Sequence, residues 1–283
     1  MRNPILILLL TLACATCTNK GVKQQTQSET IGKDQNQLYN LVSRYFNDRM
    51  KLYPFEATQN GISGYNQLFP NDISDTYRQT LKSFYEKYTL ELSQQDTTKI
   101  TSNDRISYDI LKWELQQNLA AFQFHDNYMP INQFTSKTLE LGQLGSGAGV
   151  QPFKTKDDYI NWLQRMHAFP AWTDTAIANM RKGVQIGWVL PKSLALKVLP
   201  QLESMITDDP AKNLFYGPVT QLDTNTQIVW ETKKELKQSY TEAIKEDIIA
   251  SYQKLYFFFK NEYLPHCRTT SGIGALPGGK EYT

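Results

Sequence analysis

From Leu236 to Tyr263 the chain keeps one spacing. Leu236, Tyr240, Ile244, Ile248 and Tyr252 step by four, and Leu255, Phe259 and Tyr263 continue the line. Apolar side chains recurring every three to four residues share one face of a helix, whereas a half-buried strand would place them at every second position. A helix from about Thr224 to Leu264, ended by Pro265, would be roughly 60 Å long. An element of that length is the scaffold of a large helical domain, not a member of a small bundle.

The same period runs through the rest of the chain. Leu38, Leu41, Val42, Tyr45, Phe46 and Met50 form a stripe that stops before Pro54. Asp72 or Ser74 can cap a second helix carrying Tyr77, Leu81, Phe84, Tyr88 and Leu92. Ser102 or Asn103 opens a third, with Ile106, Ile110, Leu111, Trp113, Leu115, Leu119 and Phe122. Asp157 and Asp158 suit the first turn of a fourth, where carboxylates face the positive end of the helix dipole. Pro170 predicts a kink or a break before a fifth segment, Ala171 to Val184. A sixth follows Pro191 through Leu194, Val198, Leu202 and Met205. Strand-like alternation never exceeds a few residues; short extended pieces are conceivable at Phe122–Tyr128 and at Trp188-Val189-Leu190. The expected class is all-α, a long-helix bundle forming part of a larger helical domain.

The N-terminus reads as a targeting signal. Arg2 precedes the apolar run Ile5 to Leu12, which is too short to span a bilayer. Small residues and Cys14 and Cys17 follow, as in a bacterial lipoprotein signal. Cys17 is favoured as the acylated residue over Cys14, because the polar tether starts directly after it. The expected organisation is a signal segment at 1–17, a flexible tether at 18–36 rich in Lys, Gln, Thr, Ser and Asn, and a helical domain at 37–283, ordered from about Gln35. The protein is then exported and held at the membrane by a lipid anchor, in the periplasm or at the cell surface. The remaining cysteine, Cys267, has no disulfide partner, and nothing marks it as a nucleophile.

Catalytic groups are sparse. A net charge of +2 without a basic run gives no electrostatic footprint for nucleic acid. Three histidines, His125, His167 and His266, show no metal-ligand spacing, and no Gly-x-Ser-x-Gly elbow exists. His125-Asp126 reads as a surface pair after a helix. The glycine-dense stretch Leu141 to Gly149 lacks the Gly-Lys-Ser/Thr of a phosphate loop and reads as a mobile loop beside a cleft. Adjacent acidic pairs, Asp157–Asp158 and Asp208–Asp209, read as a helix start and a turn. No catalytic residue and no metal ligand is assigned.

Several blocks stand in order from about residue 38 to the end: Tyr53-Pro54-Phe55-Glu56-Ala57-Thr58-Gln59-Asn60-Gly61, Asp104 to Leu111, Phe153 to Tyr159, Asn179-Met180-Arg181-Lys182-Gly183, Gly187 to Lys192, and the loop Gly272-Ile273-Gly274-Ala275-Leu276-Pro277-Gly278-Gly279-Lys280. Together they resemble the DUF885 family. The resemblance implies a helical protein, often exported or lipid-anchored, about twice this length, and a zinc metallopeptidase whose His-Glu-x-x-His helix lies in the C-terminal half. That motif is absent from this sequence. The chain is accordingly expected to be an N-terminal part that forms one wall of a peptide-binding cleft and is inactive alone. Zinc is expected only in the full-length protein. Gly272, Gly274, Leu276, Pro277, Gly278, Asn179, Arg181 and Trp188 are the candidate substrate-binding residues. The glycine-rich loop can equally be a tight turn that needs glycine freedom. The alternative is a non-enzymatic envelope lipoprotein that acts as a helical binding module.

Overall fold

A computed structural model describes residues 28–282. The signal segment at 1–17, both candidate acylation sites and the first part of the tether lie outside the described residues. Among the described residues there is no strand, only an isolated parallel bridge between Pro191 and Arg268. Helices follow one another as α1 (Ser28–Leu52), α2 (Pro54–Gln59), α3 (Asp75–Ser93), α4 (Ser102–Ala121), α5 (Lys137–Gly145), α6 (Lys156–Ile186), α7 (Lys192–Glu203), α8 (Gly217–Leu222), α9 (Trp230–Ala243) and α10 (Ala250–Phe258). The fold is all-α. No described helix is long and apolar enough to cross a membrane.

Local chemistry sets the boundaries. α1 begins at Ser28, upstream of Gln35, and stops at Leu52, two residues before Pro54, whose fixed φ suits the first turn of α2. Ser74 rather than Asp72 caps α3, its hydroxyl accepting from the Tyr77 amide. α4 is capped by Thr101, one residue before the expected start, through the Asp104 amide. Thr155 and Asp158 form a reciprocal capping box at the start of α6. α6 then runs 31 residues through Pro170, so the fourth and fifth expected helices are one. A proline inside a helix costs about 3 kcal/mol. Met166, Phe169, Trp172, Thr173 and Ala176 offset it, because all are buried on the core face and hold the helix from both sides of Pro170.

The long C-terminal helix starts at Trp230 rather than Thr224 and passes through two wider π-turns, Ile244–Ile249 and Phe259–Tyr263. The four-residue apolar spacing explains them. In an α-helix each step of four overshoots a full turn by about 40°, so the four steps from Leu236 to Tyr252 would by themselves carry the stripe about 160° around the helix. A π-turn, closed by an i→i+5 bond, winds the stripe back. α6 runs parallel beside this helix, and three polar bridges climb the shared outer edge. His167 Nδ1 lies 2.6 Å from Asp247 Oδ2, Asp174 pairs with Lys254, and the Arg181 guanidinium grips both oxygens of Glu262 at 2.9 Å. The partners are seven and seven residues apart on α6. On the long helix they are seven and eight apart, and the eighth residue falls in the second π-turn.

Two cores result. The larger joins α6, α7 and the long helix around Trp162, Phe169, Trp172, Phe215, Tyr240, Tyr252 and Tyr263. The smaller joins α1, α3 and α4 around Leu38, Leu41, Tyr45, Phe84, Tyr85, Tyr88, Leu111 and Leu115. Arg165 of α6 ties the segment between the two cores to the larger one. It is fully buried and donates to the carbonyls of Pro54, Tyr65 and Leu68, to Thr58 Oγ1 and to Gln151 Oε1. The glycine-dense stretch is not a free loop. Leu141 to Gly145 form the end of α5 and Ser146 to Gly149 the turn that follows, and a Cβ on Gly145 would lie 2.5 Å from Trp162 and 2.6 Å from Phe215. The expected short extended pieces are a helix end with a 3-10 turn at Asp126–Tyr128, and the single bridge beside Leu190.

Candidate functional site

The C-cap of α6 and the C-terminal loop meet in one place. α6 ends at Gly187, whose φ of 76° is left-handed. The next residue, Trp188, is turned inward and buried, and its indole Nε1 donates to the Pro277 carbonyl at 3.1 Å. A Cβ on Gly187 would stand 3.5 Å from the Pro277 ring, so the two segments are in van der Waals register. His125 stacks on Tyr128 with centroids 4.9 Å apart and presents its edge to Trp188 at 5.5 Å. Close helix approach makes this possible: a Cβ on Gly183 would lie 2.6 Å from the Trp188 carbonyl oxygen and 3.0 Å from that of Tyr128. Above this aromatic floor opens a cleft of about 490 Å³, lined by Phe124, His125, Ile186, Trp188, Pro277, Gly278 and Glu281 among others.

The loop is self-bonded. The amides of Leu276, Gly279 and Glu281 donate to the carbonyls of Ile273, Leu276 and Gly278. Leu276 is its buried foot, while Gly272, Gly274, Pro277 and Gly278 are exposed. Gly272 and Gly278 adopt φ of 83° and 68°, which L side chains avoid. Gly274 has no such constraint. Gly279 does: a Cβ there would fall 2.0 Å from the Ile273 carbonyl oxygen. No sequence pattern announces that role, since a steric demand of this kind is invisible until the turn closes.

Trp188, Leu276, Pro277 and Gly278 are therefore brought together, with Gly272 and Gly274 on the outer side of the same loop. Asn179 and Arg181 are not. Asn179 is buried and donates to the Ile73 carbonyl at 2.8 Å, bracing the segment before α3. Arg181 belongs to the α6 ladder, with its guanidinium 5.4 Å above Phe258 and a shallow hollow of about 390 Å³ beside it. Hydrogen bonding from Arg181 holds the Glu262 carboxyl below its ordinary range, and the same bond raises the guanidinium. His125 and Asp126, read as a surface pair, part company: the ring faces Tyr128 and Trp188, and Asp126 pairs with Arg78 at 2.7 Å.

Among the described residues no three His, Cys, Asp or Glu side chains converge as zinc requires. His167 faces one carboxylate, His125 faces rings, and Cys267 is buried with its thiol directed at the Tyr263 carbonyl. The donor set of a zinc centre thus does not fit these residues, and no reaction step can be routed through one here.

The family described as "Bacterial protein of unknown function (DUF885)" matches residues 54–282. Two solved structures share the fold. The "putative lipoprotein" from Colwellia psychrerythraea aligns with a TM-score of 0.74 at 15% identity, covering 88% of this chain and 45% of that one. A "putative lipoprotein of unknown function" from Shewanella oneidensis aligns at 0.56 and 16% identity, covering 80% of this chain and 39% of that one. The chain thus spans less than half the length of either. No curated protein matches it.

Proposed function

Because the chain belongs to the DUF885 family, we propose that it is part of an exported, lipid-anchored envelope protein and forms one wall of a peptide-binding cleft. The observation that carries this reading is the Trp188–Pro277 bond, which fixes an exposed glycine–proline loop over an aromatic floor. A self-bonded loop presents its exposed backbone edge in one conformation, and a rigid edge lowers the ordering cost of seating an extended peptide. The names of the two structural neighbours support the anchor, as does the small-residue, two-cysteine start of the sequence. Hydrolysis, and the zinc that would activate a water for it, fall to residues beyond this chain in longer members. The chain alone binds and does not cut.

Two measurements test this. Incubating the 283-residue protein with peptides and added zinc should give no turnover above the blank; turnover would refute the division of labour. Replacing Trp188 with Phe keeps the ring bulk but removes the donor to Pro277. Peptide affinity should fall about tenfold, the worth of roughly one hydrogen bond. Unchanged affinity would show that the loop is not the binding edge.

A further inference from the structure

α4 carries more apolar surface than its core uses. Tyr108, Leu111 and Leu115 are buried against α1 and α3. Ile106, Ile110 and Trp113, which the sequence places on the same stripe, stand 60%, 59% and 63% exposed. Spaced by four and three, they form a second line on the outer side of the helix. α1 continues the patch: Tyr39 and Phe46, seven residues apart, are also exposed, and Phe46, Val42 and Ile110 wall one groove of about 370 Å³. Its charged end is internally satisfied. Arg49 pairs with Glu56 at 2.7 Å and with Glu114 at 3.6 Å, and Tyr45 donates to Glu114.

We propose that this α1–α4 face lies on the lipid surface to which the protein is anchored. The inference rests on the anchoring reading given above, with Cys17 as the acylated residue. Ten residues, an eleven-step path, lie between Cys17 and the first residue of α1, Ser28. Fully extended they reach at most about 40 Å. Tyr39 and Phe46 sit only about 17 and 27 Å along α1, so the anchor holds the patch within reach of the bilayer. Its chemistry suits that boundary. Isoleucine and phenylalanine enter the acyl edge, and tryptophan and tyrosine prefer the headgroup level. One face therefore sets how the anchored molecule stands on the membrane.

The test uses the lipidated full chain in vesicles of phosphatidylethanolamine and phosphatidylglycerol with brominated acyl chains. Flotation reports the anchor. Bromine quenching, taken as the difference between the native protein and Trp113→Phe, reports Trp113 alone and discounts the exposed Trp230. Flotation with loss of most of the Trp113 emission is the expected result. Flotation with Trp113 unquenched overturns the inference and leaves the anchor standing. Absence of flotation overturns both. Trp113 already shielded from iodide before lipid is added would assign the face to a second copy of the chain and overturn the lipid surface.

Discussion

At the scale of single residues, Arg165 has the most demanding position. Burial, with no carboxylate in direct contact, pushes its guanidinium down to about 9. Its charge is solvated by five protein oxygens instead of water. Arg165→Met would strand those acceptors, and urea unfolding should show a loss of about 3–5 kcal/mol. Arg165→Lys should not rescue it, because an ammonium lacks the planar fork; a change under about 1 kcal/mol would mean the hub is dispensable. Cys267 gives a pH-dependent prediction. Burial pushes its thiol from 9.0 up to about 11, so the folded chain holds the proton more tightly than the unfolded one. The associated stability is complete below pH 9 and is lost as pH rises through about 11. At pH 8, alkylation of Cys267 should be roughly a hundredfold slower in the folded protein than in urea. Fast labelling without denaturant would contradict the burial. Neither role is visible in a sequence: Arg165 is one arginine on a polar-looking turn, and its five partners arrive from positions up to 111 residues away.

At the scale of elements, the π-turns make a testable distinction. Lys260 is exposed and lies inside the second one. Deleting it should convert the π-turn to a regular α-turn and leave the core line Leu255–Phe259–Tyr263 facing inward. Deleting exposed Gln253, in a regular part of α10, should rotate everything after it by about 100°. Thermal unfolding should show the Lys260 deletion nearly neutral and the Gln253 deletion severe; equal effects would refute the register argument. The strict spacing of four was legible from the start and predicted one long helix. What it encoded beyond that was the winding itself, since an ordinary helix drifts away from such a stripe. Helix starts were legible to within a residue at Ser74 and Thr101, where capping is local. Pro170 misled because its local penalty is outweighed by packing on both sides. The α4 stripe was read as one face but splits in two, because apolar content does not say which side finds a partner.

At the scale of the whole molecule, class and family were legible: an all-α chain whose residues 54–282 match DUF885. The cleft was legible in half. Trp188 and the Gly272–Gly278 loop were singled out separately, and the fold brings them together across 89 residues. Asn179 and Arg181 carried the same sequence signal but serve as a brace and as a rung of the α6 ladder. Block resemblance does not say whether a residue lines an open cleft or packs against a neighbouring helix. The most direct test of the cleft is amide hydrogen exchange of the intact chain, with and without a saturating pool of short random-sequence peptides. Added protection concentrated at residues 272–278 and 187–189 is the expected result. Protection centred on the separate apolar cavity between α5 and α7, near Gly142, Val198 and Leu214, or no protection anywhere, would contradict it.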